Sequence, residues 1–156
     1  MGNRAYVVFE NGEDRSPAIY LHWNGGPESI YAFLHALKGY TADQHSPGYS
    51  CARFVQLAGN TLGGTLSLGL ICFRKYEDLI CDDNGLYVVT PTSVRRMIDD
   101  SPDPRHPHLR WLADEEVGAE REEALNHRYW LPTEGQTSFL DDIRLANNPH
   151  FLPSTA

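Results

Sequence analysis

The chain has 156 residues, 41% of them apolar and 22% charged. That length and balance suit one domain with a sizeable core and exclude wholesale disorder. The formal net charge is −8, which argues against direct binding to nucleic-acid phosphates, because such binding needs a basic footprint.

Ala5 to Glu10 (AYVVFE) reads as a strand and Asn11 to Pro17 as its turn. Ala18 to Trp23 (AIYLHW) reads as a second strand, hairpin-paired with the first. Within it Ile19, Leu21 and Trp23 share one face, the expected core face, and Tyr20, His22 and Asn24 share the other. A helix should follow, with Gly26 as N-cap, Pro27 at the first helical position and Glu28 in the first turn. Ile30, Phe33, Leu34 and Leu37 recur at i, i+3, i+4 and i+7, which makes one apolar face; Gly39 is the expected stop.

After a polar loop, the pattern predicts a second helix from about Tyr49 to Leu62. Its stripe is Cys51, Val55, Ala58 and Leu62, with Phe54 at the border and Gly63-Gly64 as the end. Thr65 to Phe73 (TLSLGLICF) is apolar on both sides and reads as a central, covered strand. Asp82-Asp83-Asn84-Gly85 is a turn before a strand at Leu86 to Thr90. The segment from Thr92 to Ile98 fits an edge strand or a short helix. Its Arg95-Arg96 pair reads as a solvated edge. Residues 101–108, with three prolines, form an ordered connector. Asp114 to about His127 reads as a helix with Ala113, Val117 and Ala124 inward. The tail from Trp130 is mixed, with a turn of helix at Phe139 to Leu145. The expected fold is therefore single-domain α+β: an antiparallel or mixed sheet, two early helices on one face and an acidic C-terminal helix.

No apolar run reaches the roughly 20 residues that span a bilayer, and MGNRAYVVFE lacks a signal-peptide pattern. The three cysteines, Cys51, Cys72 and Cys81, are odd in number and widely spaced. They argue against a disulfide framework and fit a reducing cytoplasm. Charge is uneven along the chain. Residues 1–98 carry 9 acids against 8 Lys and Arg, whereas residues 99–156 carry 12 acids against 5 Arg.

The stretch YLHWNGGPES (Tyr20 to Ser29) is the strongest local candidate for a site. A strand end, a glycine turn and a helix start can cradle an anion on backbone N–H groups, which makes Asn24, Gly25 and Gly26 ligand candidates. The competing explanation is backbone shape, with at least one glycine at positive φ or close to another backbone, and with Trp23 beneath the helix. Glu28 favours the second, since it already brings a negative charge to the helix start. His22 is the one catalytic candidate, a general base with Asn24 and His35 as conceivable partners. A strand histidine is more often hydrogen-bonded scaffold. Phosphate-loop, dinucleotide and GxSxG patterns do not occur in the sequence.

His106 and His108 form a His-x-His pair with His127 a distant third, but the prolines around them explain a rigid loop without a metal. Asp82, Asp83 and Asn84 match a calcium loop in composition alone. No metal or cofactor is expected. The acidic stretch holds Asp114, Glu115, Glu116, Glu120, Glu122 and Glu123. Its ordinary reading is a solvated helix face; its functional reading is a partner-binding surface on Asp114, Glu115, Glu116, Glu120 and Glu123 that docks a basic protein.

GNRA (Gly2 to Ala5), IYLHWNGGPES (Ile19 to Ser29) with AFL (Ala32 to Leu34), GYSCARFVQLAGNTLGG (Gly48 to Gly64) with LSLGL (Leu66 to Leu70), and DDNGLYVV (Asp82 to Val89) follow one another along the chain. In that order they resemble a group of small proteins of unknown function encoded by bacteriophages and mobile elements. The resemblance covers roughly residues 2–90 and implies a phage or mobile-element setting in a host cytoplasm, with no inherited catalytic role. The leading expectation is an accessory protein that binds a basic host protein, such as a nucleic-acid-handling defence component, without itself binding nucleic acid or membrane. The alternatives are a small hydrolase or transferase centred on His22, and a module that captures a nucleotide-like anion at Asn24 to Gly26 and Gly59 to Gly64.

Overall fold

The computed structural model describes residues 3–38, 46–79, 83–126, 137–148 and 150. Gly39, Cys81, Asp82, His127 and Trp130 lie outside them. The described residues form a mixed sheet with helices packed against it. The strands are β1 (Ala5–Asn11), β2 (Asp14–Arg15), β3 (Ala18–Leu21), β4 (Leu68–Ile71), β5 (Leu86–Val89), β6 (Val94–Asp99) and β7 (Leu109–Trp111). The helices are α1 (Pro27–Leu37), α2 (Pro47–Leu62), α3 (Asp114–Leu125) and α4 (Phe139–Asn147). No described helix is long and apolar enough to cross a membrane.

The sheet runs β4-β3-β1-β5-β6-β7, with the two-residue β2 folded back on β1. All pairs are antiparallel except β1 and β5, which run parallel in the register Tyr6–Leu86 to Phe9–Val89. From β1 the chain adds β3 and β4 on one side, then crosses to build β5, β6 and β7 on the other. The junction of β1 and β5 is thus the point where the direction of sheet growth reverses.

Alternation decides which residues meet the helices. Ala5, Val7 and Phe9 of β1, Ile19 and Leu21 of β3 and Tyr87 of β5 turn to the helical side and join the main core. The expected stripe of α1 is buried there, with Ile30 and Phe33 fully enclosed. Gly26 caps α1 and Pro27 begins it, as the sequence implies. Val8, Ala18, Leu86, Val88 and Met97 face the other way, into a smaller cluster under Leu79, Phe73 and Tyr76. There Arg15 lies 4.3 Å from the centre of the Phe73 ring and Arg95 lies 4.6 Å from that of Trp111.

Five expectations need correction. The Thr65–Phe73 run is not a covered central strand: β4 is an edge strand paired to β3 alone, and Leu66 and Leu70 are 84% and 58% exposed. Its two-sided apolarity resembled burial, but only Leu68 packs against the main core. Trp23 does not share the core face of Ile19 and Leu21, because β3 ends at Leu21 and the chain bends away. Trp23 is exposed, edge-on to His22. On α2, Phe54 is not at the border but fully buried between Phe9 and Phe33, whereas Val55 and Leu62 are half-buried. Ala113 is exposed, and the inward positions of α3 are Val117, Glu120 and Ala124. The Arg95-Arg96 pair is split by strand alternation, so Arg96 is buried against Tyr87 and Glu120. The ambiguous segment resolves as β6, and β7 was not foreseen because only three residues separate the proline connector from the turn into α3.

Candidate functional site

The glycine junction sits at the amino end of the parallel strand pair. The Gly25 N–H donates to the Asn3 carbonyl at 2.8 Å, and the Gly25 carbonyl accepts the Tyr87 hydroxyl at 2.8 Å. A methyl at Gly25 would lie 2.7 Å from Ala5 Cβ and from the Asn3 oxygen. The close backbone approach required by the geometric reading is therefore present, while positive φ falls on Asn24, at 58°. A methyl at Gly26 would meet only the Glu28 carboxylate, at 2.7 Å. That carboxylate lies against the start of α1, where a bound anion would otherwise gain most from the helix N-terminus. Asn24 turns inward, donating to Ser29 Oγ at 3.2 Å. Gly63 and Gly64, at positive φ, end α2.

Gly25→Ala is expected to cost about 1–3 kcal/mol through this overlap with backbone. Gly26→Ala should cost less, since φ there is −68° and only the flexible Glu28 must move. Urea unfolding of both variants measures the difference; a Gly25→Ala protein as stable as the parent removes the geometric explanation.

His22 is half-buried, with Nδ1 2.7 Å from the Tyr20 hydroxyl. His35 sits elsewhere, in the last turn of α1. His106 and His108 hold different carboxylates: His106 Nε2 is 4.0 Å from Asp103 and His108 Nδ1 is 2.5 Å from Asp100. Asp83 accepts both the backbone N–H and Nε of Arg4, which lowers its pKa and ties the start of β1 to the turn before β5. Among the described residues, no three His, Cys, Asp or Glu converge as a metal-holding group.

On α3 the nominated carboxylates divide. Asp114, Glu115 and Glu123, with Glu122, are exposed and have no cation partner among the described residues. Glu116 is held by two nitrogens of Arg110 at 3.1 and 3.0 Å, which lowers its pKa, and it also accepts the Ala113 N–H that starts the helix. Glu120 is turned inward onto Arg96 at 2.7 Å.

The best-formed concavity lies at the opposite end of the sheet from the glycines. It is a cleft of about 160 Å³ over the carboxyl ends of β1 and β5. Phe9, Val89 and Val94 give it a sheet floor, and Tyr31, Leu34 and His35 of α1 with Lys38 just after it form one wall. Pro47 and Ser50 from the start of α2, Arg121 of α3 and the turn from Thr90 to Ser93 complete it. The turn is fixed by the Thr90 hydroxyl, which accepts the Ser93 N–H at 3.0 Å. Glu10 also borders the cleft, but its carboxylate is taken by the Tyr76 hydroxyl at 2.5 Å and by Arg95 at 2.9 Å. Tyr31 is buried, its hydroxyl has no hydrogen-bond partner among the described residues, and burial together with Glu120 pushes its pKa up to about 12.

Comparison with protein-family models, with curated proteins and with solved structures finds no match.

Neither His22 nor the glycine junction contributes to this cleft. Its basic members, His35 in the last turn of α1, Lys38 just after it and Arg121 of α3, are spread over 87 positions. Sequence periodicity marks none of them. The nearest signal was Arg121 itself, a basic residue in an otherwise acidic helix. Burial first, then Arg144, Lys38 and Arg121, lower the His35 pKa, and Lys38 and Arg121 are the cations that line the cleft in a chain of net charge −8. Such a surface can hold an anion against an apolar floor.

Proposed function

We propose that the protein acts by binding, as a phage or mobile-element accessory protein that docks a basic host protein, and that α3 supplies the docking face. The observation that carries this reading is the set of four exposed carboxylates, Asp114, Glu115, Glu122 and Glu123, without a cation partner among the described residues. Carboxylates that neither build the core nor pair with a neighbour do little for stability and repel one another. They do steer a positively charged partner and speed its association. The resemblance of residues 2–90 to phage and mobile-element proteins, read from the sequence, supports the setting. A host defence protein with a nucleic-acid-binding surface has the complementary charge.

The combined variant Asp114→Asn, Glu115→Gln, Glu122→Gln, Glu123→Gln is expected to fold normally and to associate at least about tenfold more slowly with a partner recovered from host lysate. Glu116 and Glu120 are left intact because both hold the fold together. The deficit should shrink as salt is raised, since the Debye length falls from about 10 Å at 0.1 M to about 3 Å at 1 M. Stopped-flow or surface-plasmon rates at both salt levels are the measurement; equal rates at low salt would remove α3 from the interface.

A further inference from the structure

We propose that the cleft over the carboxyl ends of β1 and β5 binds a small organic anion, one carboxylate or phosphate carried on an apolar body about the size of a six-membered ring. This inference is independent of the docking face on α3.

Position is the first argument. In open α/β sheets, ligands collect in the crevice outside the carboxyl ends of the strands where the strand order reverses; the chain diverges in the same way here, through the hairpins β1–β3 and β5–β6. β1 and β5 are the parallel pair, and the order β4-β3-β1-β5-β6-β7 reverses between them. Divergence of the chain on either side leaves a gap there, which α1, α2 and the Thr90–Ser93 turn frame without filling.

Size is the second. An apolar cavity of about 150 Å³ accommodates benzene. The cleft measures about 160 Å³, and Phe9, Leu34 and Val94 supply apolar walls. A ring or a short branched chain fits that volume.

Charge is the third. Lys38 and Arg121 are exposed at the rim and have no carboxylate partner among the described residues. The acid nearest the floor, Glu10, is neutralised by Arg95 on the far face of the sheet. A guanidinium and an ammonium that border one cleft favour a carboxylate or phosphate oxygen there, and partial desolvation strengthens the bonds. The partnerless Tyr31 hydroxyl lies in the same wall region, beneath Arg121, whose guanidinium is 5.9 Å from the ring centre.

The test titrates the full chain, labelled with ¹⁵N, with benzoate, phenyl phosphate, benzyl alcohol, acetate and inorganic phosphate. Benzoate or phenyl phosphate should shift the amides of residues 34–38 and 90–94, and the tighter of the two identifies the headgroup. Benzyl alcohol, which lacks the charge, and acetate and inorganic phosphate, which lack the ring, should each bind at least about tenfold more weakly, a difference of about 1.4 kcal/mol. The double variant Lys38→Gln, Arg121→Gln should lose at least about tenfold in affinity for the preferred anion. Both side chains are exposed, so its melting temperature should stay within a few degrees of the parent. The proposal is overturned by equal binding of benzyl alcohol and benzoate, by shifts confined to another surface, by unchanged affinity in the double variant, or by no binding of either ring anion at millimolar concentration. None of these outcomes involves a protein partner, so each leaves the α3 reading standing.

Discussion

Replacing Phe33 with Ala should destabilise the protein by about 3–5 kcal/mol, a large fraction of the roughly 5–15 kcal/mol that holds a domain of this kind together. Phe33 is fully buried at the centre of the helical side of the sheet. Its ring packs edge-on against Phe54 of α2 at 5.7 Å and against Phe139 of α4 at 5.5 Å. One residue therefore joins three helices, and truncation removes both edge-to-face contacts together with the transfer energy of the ring. The cavity would be walled by two other aromatic rings anchored on separate helices, which limits collapse and keeps the cost at the upper part of the range. Chemical denaturation measures it. A loss below about 1 kcal/mol would mean that the site repacks freely, and would contradict the assignment of Phe33 to the core.

The second large effect is expected at Glu120. Arg96 is 3% exposed, with its guanidinium 3.8 Å from the centre of the Tyr87 ring. It donates to the Asn84 carbonyl at 2.6 Å, to the Leu86 carbonyl at 3.0 Å and to the Glu120 carboxylate at 2.7 Å. Glu120 supplies the only counter-charge to Arg96 among the described residues. Glu120→Gln leaves a buried cation with neutral acceptors alone, which should cost about 3 kcal/mol, the lower end of the range for breaking a buried pair. The lower end applies because the Glu120 side chain remains 23% exposed and water reaches it. Arg96→Met should also destabilise the protein, and the double variant should lose less than the sum of the two by at least about 1 kcal/mol. Additive losses in that cycle would show that the two charges do not depend on each other.

The contrast between Phe33 and Arg96 shows what a linear reading reaches. The apolar positions of α1 repeat with a helical period, so their common face and its burial could be read before any tertiary structure was known. The hairpin of β1 and β3 and the helix starting at Gly26-Pro27 were legible for the same reason, because each depends on neighbours in sequence. Arg96 looks like a surface residue by composition, and only the pairing of β6 with β5 and the arrival of α3 bury it. The apolar run at β4 misled in the opposite sense: its residues can fill a core, but its place at the sheet edge exposes Leu70. The cleft was illegible on the same grounds. Its parts come from three strand ends, three helices and a turn, and no sequence window contains them all. The acidic face was half legible, since composition reveals the charge but not which carboxylates are consumed internally.

The pairing of β1 with β5 also fixes the order in which the protein can be made. Tyr6 and Leu86 are hydrogen-bond neighbours in a parallel ladder, yet 80 positions separate them along the chain. At about 5–20 residues per second of synthesis, β1 and β3 stand finished for several seconds before β5 leaves the ribosome. Throughout that interval the β5-facing edge of β1, with Val7 and Val8 on opposite faces, has no strand beside it. The nascent chain is then at its most adhesive, and a chaperone that recognises short apolar strands would find it in that state. The same Leu86–Val89 segment that later closes the sheet and floors the cleft ends that exposure as it emerges.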